Sequence, residues 1–314
     1  MDMLKIITCA LAALILEAHA EAQEKPLRYS AVHMGLVYPL STHGTQAISY
    51  SNRFSAHAIA GLSGAEKGVA LAGFALIVKD SANGVQAAGF MNSAGTSRGV
   101  SMAGFINVSG NAGTQVGGFM NIAKDVKGVQ AAGFLNIAKK VNGVQIAGFI
   151  NIADSSDYPI GLINIIRHGE RSIGLSTDES LTNLITFRSG GRKLYGILGI
   201  GYNGHDKKDL YAWEGGMGAH FQVARNVRLN TELVGIGLSD FKSGDYFRGS
   251  IRILPTVKLG RQVEFFAGPT FNYIRSEKGK GAGLITHYVW SEREPSGILH
   301  GLYFGATGGM SILF

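Results

Sequence analysis

Seven ionisable side chains in the last third of the chain occupy alternate positions of long apolar segments: Glu214, His220, Arg228, Glu232, Arg248, Arg252 and Glu264. Successive side chains of an extended strand point to opposite faces, so this spacing collects the polar groups on one face and leaves the other apolar. If the polar face lines a lumen, acids and cations there can pair across strands or sort solutes by charge. Counting back from the turn near Lys242 sets Glu232 opposite Arg252 on the neighbouring strand. Hydrolytic chemistry would need a nucleophile hydrogen-bonded to a base. The best pair the spacing offers is His220 with Ser250, two strands away. The nine histidines are otherwise scattered, so no catalytic residue, metal site or cofactor is expected and the chain is read as a non-enzyme. Gly199-Ile200-Gly201 followed by Gly204 matches a fragment of a nucleotide loop, but no βαβ unit surrounds it.

The elements that position these groups are long. Tyr211 to Val223 places Tyr211, Trp213, Met217 and Phe221 on one face and Glu214, His220 and Gln222 on the other. Tyr246 to Lys258, Val227 to Leu238, Val263 to Ile274 and Leu302 to Phe314 repeat the alternation. Segments of this length suit tilted membrane strands better than the strands of soluble sandwiches. Tight turns at Ala224-Arg225-Asn226 and Gly260-Arg261 alternate with longer connections at Asn203 to Asp209, Ser239 to Asp245 and Ser276 to Ser296, the asymmetry of outer-membrane barrels. The last strand alternates apolar residues and ends in Phe314, which resembles the C-terminal assembly signal of outer-membrane β-barrel proteins and implies a barrel-assembly machinery as partner.

A repeat of about 15 residues fills the middle of the chain, from Gly68 to Asn164. Its clearest copies are Gly84-Val85-Gln86-Ala87-Ala88-Gly89-Phe90-Met91-Asn92, Gly128 to Asn136 and Gly143 to Asn151, with degenerate copies starting at Gly68, Gly99 and Gly113. The unit resembles the glycine, glutamine and asparagine repeats of bacterial surface-repeat proteins assigned to outer membranes. The resemblance covers roughly a third of the chain and implies location rather than activity. The first copy departs from it, with Ala75-Leu76 in place of the apolar-Asn pair. Read as barrel wall, each copy is one strand, with Val129, Ala131, Gly133, Leu135 and Ile137 towards lipid and Gln130, Ala132, Phe134, Asn136 and Ala138 towards the lumen. Read as a solenoid, each copy is one coil, and the asparagines and phenylalanines stack in ladders. The absence of short-long alternation in the turns and the lack of aromatic girdles count against a barrel; small length changes in the polar stretches favour hairpins. The barrel is the working expectation.

Composition agrees with a membrane location. Only 16% of the 314 residues are charged, 45 are glycine, and the net charge is +7, against a charged fraction of about 25% in typical soluble domains. Lys5, the apolar run Ile6 to Leu16 and the small residues Ala18, Ala20 and Ala22 read as a cleaved signal peptide over 1–22, too short to span a bilayer. Cys9, the one cysteine, sits in that run, so the mature chain is expected to lack disulfides and thiolate chemistry. The sequence-level expectation is an all-β transmembrane antiparallel barrel of roughly 16 strands over 23–314, with 68–164 as the repeat section and 192–314 as the clearest membrane strands. The leading function is a porin-like passive channel for small hydrophilic solutes in the outer membrane of a Gram-negative cell. A closed-barrel surface structural or adhesion protein is the alternative, with a lipid-acting enzyme as a weaker one. Lipid and lipopolysaccharide are the expected partners. The lysines and arginines interleave with acids and lack clustered aromatics, so nucleic acid is not among them.

Overall fold

The computed structural model describes residues 26–191, 193–204, 210–242, 245–281 and 283–314. The expected signal peptide, 1–22, and most of the Asn203 to Asp209 connection lie outside the described residues. The chain is all β but consists of two units: a parallel β-solenoid from Arg28 to Ile166 and a closed antiparallel barrel from Glu170 to Leu313.

In the coil that begins at Phe119, Met120–Val126 forms one wall, Lys127-Gly128 bends the chain, Val129–Ala132 forms the other wall and Gly133-Phe134 closes the turn. Successive coils stack in parallel and in register: Met120 faces Ile106 and Leu135, while Asn121 faces Asn107 and Asn136. The expectation of one membrane strand per repeat, and with it a barrel of roughly 16 strands over 23–314, is therefore incorrect. Each repeat is a full coil, made of two short strands in the Phe119 coil and of one continuous bent strand in Met91–Ala103, Ile106–Gly117 and Leu135–Ala147. The physical reason is that parallel stacking sets every side chain against its own counterpart, which lets buried amides hydrogen-bond in columns. A hairpin would set them against unlike neighbours.

The solenoid interior is accordingly narrow and polar. Asn92, Asn107, Asn121, Asn136, Asn151 and Asn164 form one column, each of the first five donating to the next Oδ1 at 2.8–3.0 Å. The second proton of each crosses the coil to a carbonyl of the opposite wall: Met102, Val116, Ala131, Ile146 and Ile160. Gln145, Gln130 and Gln115 form a second column, linked at 3.0 Å. Ala123, Val126, Ala138, Val141 and Ala153 fill the space between. The corner glycines are required by close approach: a Cβ on Gly104 would lie 2.0 Å from the Gly89 carbonyl oxygen. The corner also breaks the strand alternation, so Phe134 is not directed inward as strict alternation requires. It lies outside, 39% exposed, in a stack of Phe74, Phe90, Phe105, Phe119, Phe134 and Phe149 with rings 4.8–5.3 Å apart.

The barrel wall comprises Glu170–Asp178, Thr182–Gly190, Leu194–Asn203, Leu210–Ala224, Val227–Ser239, Tyr246–Leu259, Val263–Ser276 and Leu299–Leu313, each antiparallel to the next. The last strand pairs back onto the first, from Ser172 against Leu313 to Asp178 against Thr307, which closes the cylinder. Eight strands enclose a space that side chains can fill.

The last solenoid coil is seated on the outside of this wall. A Cβ on Gly196 would lie 2.1 Å from the Gly161 carbonyl, one on Gly191 3.0 Å from Pro159 Cδ, and one on Gly215 3.7 Å from Leu162 Cδ2. The ladder itself ends on the barrel: the Asn164 amide donates to Ser189 Oγ at 3.0 Å, and its Nδ2 to the Ser189 carbonyl at 3.2 Å.

Replacing Asn136 by alanine removes the acceptor of Asn121, the donor to Asn151 and the bridge to Ile146. The expected loss is about 2–4 kcal/mol of local stability, as unpaired buried amides remain on both sides. Hydrogen exchange over 120–151 should accelerate in this variant while barrel amides stay protected.

Candidate functional site

Polar and charged groups concentrate inside the barrel, where alternation aims them. Glu214, Arg228, Glu232, Arg248, Arg252 and Glu264 are all at most 7% exposed. The register sets Glu232 directly against Arg252 and Gly218. These side chains form three linked groups along the cylinder.

At mid-height Arg188 Nε reaches Glu232 Oε1 at 2.8 Å, Tyr195 donates its hydroxyl to the same oxygen at 3.0 Å, and Arg252 bridges Glu232 at 3.3 Å and Glu214 at 2.6 Å. The Arg188 guanidinium also lies 5.1 Å over the ring of Phe266. Near the tight-turn end Arg228 is held between Glu170 and Glu264, each at 2.6 Å, with Lys258 3.6 Å from Glu264. Towards the long-loop end Arg248 pairs with Asp178, lies 3.7 Å from Glu179 and donates to Tyr303 Oη at 3.2 Å. A buried ion needs an opposite charge because the desolvation penalty is several kcal/mol per ion, and each of these has one.

Beyond Arg248 the interior becomes apolar. Ile236, Leu238, Tyr246, Ile274, Leu299 and Tyr303 form a cluster that takes in Leu284 and Ile285 from the long connection after Ser276. That connection thus folds inward and stoppers the mouth of the cylinder. Lys280, 8% exposed, fixes its start through Asp240 at 2.6 Å.

His220 and Ser250 do not form a nucleophilic pair. His220 Nδ1 lies 2.8 Å from Asn230 Oδ1, and its ring stacks on Tyr195 at 4.2 Å. Ser250 faces Val234, which in turn faces Gly216, so the two residues sit at different heights. Among the described residues no group of three or more His, Cys, Asp or Glu is arranged to hold a metal ion.

One cluster escapes the linear reading. At the N-terminal end of the solenoid the rings of His33 and His43 stack at 4.4 Å, and His57 meets His33 edge-on at 4.6 Å. Asn52 lies 3.3 Å from His33 Nδ1 and donates to Glu66 Oε1 at 3.0 Å; Ser55 also donates to Glu66. The spacing of these histidines matches no motif, and only the parallel pairing of Gly35 with His57 brings them together.

Burial and the neighbouring imidazoles push His33 down to about 4, and burial also lowers His57. Both are favoured neutral in the fold, so they contribute stability that is complete above the ordinary histidine value near 6.5 and is lost as pH falls from there towards 4. Burial raises the Glu66 carboxyl and acts in the opposite sense, favouring its protonated form. Acidification from neutral pH is therefore expected to loosen residues 28–57 first, seen as faster hydrogen exchange. His33→Gln should flatten that pH dependence with Glu66 left in place.

In the barrel, Arg252→Met leaves the buried Glu214 carboxylate without its cation and Glu232 with Arg188 alone, and should cost about 3–5 kcal/mol. Adding Glu214→Gln should recover part of the loss, since the two effects share a network. Urea midpoints followed by heat-dependent gel mobility measure both. No family model, curated protein or solved structure matches this chain.

Proposed function

We propose that this chain is a structural protein of the bacterial outer membrane, held there by a small closed barrel that does not conduct. The observation that carries this reading is the inverted polarity of the barrel. Its interior holds an ion-paired network from mid-height to the tight-turn end, whereas Leu175, Ile185, Ile200, Trp213, Leu233, Ile251 and Phe304 on its outside are 51–71% exposed. A soluble monomer rarely leaves an apolar belt of this size in water. Strands of 9 to 15 residues are long enough to cross a bilayer when tilted. The tight turns at 224–227 and 259–263 and the paired strand ends Gly190 and Tyr195 gather at one end with the C-terminus, the end that faces the periplasm in such barrels.

The filled interior supports the closed-barrel alternative over a passive channel. Solutes would have to displace both the Leu284–Ile285 stopper and the Arg188–Glu232–Arg252–Glu214 network. The same network argues against an ion filter at Arg248 and Arg252, whose charges are already matched.

Refolded protein in lipid should show the heat-dependent gel shift of a folded barrel yet give no steps in a planar bilayer. Discrete, reproducible conductance would overturn the closed reading. Recovery of the folded chain in the aqueous phase of a detergent partition would overturn the membrane reading.

A further inference from the structure

The solenoid is amphipathic across its section. Its corner column runs from Leu36 and Ile59 through the six stacked phenylalanines to Leu162; from Ile59 to Phe134 each backbone amide donates to the preceding corner carbonyl, and Ile150 and Ile163 donate to Phe134 and Phe149. The rings are 36–54% exposed, which is roughly 500 Å² of aromatic surface if each side chain offers about 200 Å². The outward positions beside the column are apolar as well, among them Leu71, Met102, Val116 and Ile146 at 40–44% exposure. The opposite corner carries the charge: in two successive coils Lys124, Lys127, Lys139 and Lys140 outnumber Asp125, and in the last coil the corner carries Asp154 and Asp157.

Two separate contacts orient this section against the barrel. On the apolar side, Leu162 ends the column against Gly215, an outward position in the middle of its strand between Trp213 and Met217. On the polar side, Pro159 lies against Gly191, and Lys193 lies 5.6 Å over the Tyr158 ring, both at the tight-turn rim. The direction from apolar to charged corner in the last coil therefore matches the direction from belt to rim in the barrel. The aromatic column is continuous with the belt.

From this alignment we propose that the solenoid is a lateral arm embedded edge-on in the lipid leaflet nearest the tight-turn rim. The phenylalanine column contacts acyl chains and the lysine corner contacts anionic phospholipid headgroups, the placement of an interfacial amphipathic element. The proposal rests on the barrel reading above and deepens it by naming the surface that the solenoid binds.

The test uses the full chain in a Cys9→Ser background, refolded into vesicles of equal parts phosphatidylcholine and phosphatidylglycerol, with mid-chain brominated lipid as quencher. A fluorophore is placed at Leu175→Cys on the barrel wall, at Phe119→Cys on the column and at Lys124→Cys on the charged corner. Ile146→Cys, which leaves the ring stack intact, replaces Phe119→Cys if that variant does not fold. The expected result is that barrel and column labels each lose at least half their emission to brominated lipid, while the Lys124 label does not and is quenched by aqueous iodide. A quenched barrel label with an unquenched column label overturns the arm and leaves the barrel reading standing. Efficient cross-linking between Phe119→Cys chains in that case would assign the column to a second copy. If a folded sample shows no quenching at Leu175, the membrane reading fails and the arm fails with it.

Discussion

A primary amide taken out of water has two protons to place, and most of this molecule follows from how that is done. In the solenoid one proton goes to the next asparagine and the other to the facing wall, so each coil is tied along the stack and across its own width. This works only if coils are in register, which fixes the repeat length and the parallel pairing. It also agrees with the mostly small residues in between, Ala112, Ala123, Val126, Ala138, Val141 and Ala153. The two ends of the ladder differ: one terminates on Ser189 of the barrel, whereas at the other Asn92 lies in register with buried Leu76 and its Oδ1 has no hydrogen-bond partner among the described residues.

The barrel solves the same problem with charge. A cylinder of eight strands has an interior too narrow for bulk water, so ions there must be neutralised by neighbours. Glu232 shows how far the matching goes, with Arg188, Arg252 and the Tyr195 hydroxyl around one carboxylate. Both units therefore bury ordered polar groups and leave apolar groups outside, although an apolar cluster fills the long-loop end of the barrel. They differ in symmetry: the barrel is apolar all round its belt, whereas the solenoid is apolar on one edge.

The barrel strands and their inward faces were legible because alternation over 10 or more residues carries its own evidence, as Tyr246–Leu259 illustrates. The pairing of Glu232 with Arg252 followed from counting across one turn. The solenoid was not read correctly, although its repeat was. A coil wall such as Met120–Val126 alternates just as a membrane strand does, and the Gly133-Phe134 corner falls where a strand would continue. What separates the two is whether Asn121 meets Asn136 or an unlike residue, and that depends on chain direction in the neighbour, which alternation does not encode. The lack of short-long alternation in the turns and the missing aromatic girdles are the signals that point away from membrane strands. The His33–His43–His57 cluster was invisible for a related reason, since it is assembled by pairing between coils that share no motif.

The seating of Asn164 on Ser189 separates the ends of the solenoid from its length. The coils from Asn107 to Asn151 each present the same amide to both neighbours, whereas only the last coil meets the barrel and the histidines lie in the first coils, beyond Leu76. Duplication or loss of one repeat in the gene would leave both terminal contacts unchanged and move them apart or together by one strand spacing, about 4.8 Å. The distance between the N-terminal histidines and the barrel is thus a quantity that recombination between near-identical repeats can set in fixed increments, without a new fold having to be found at either end.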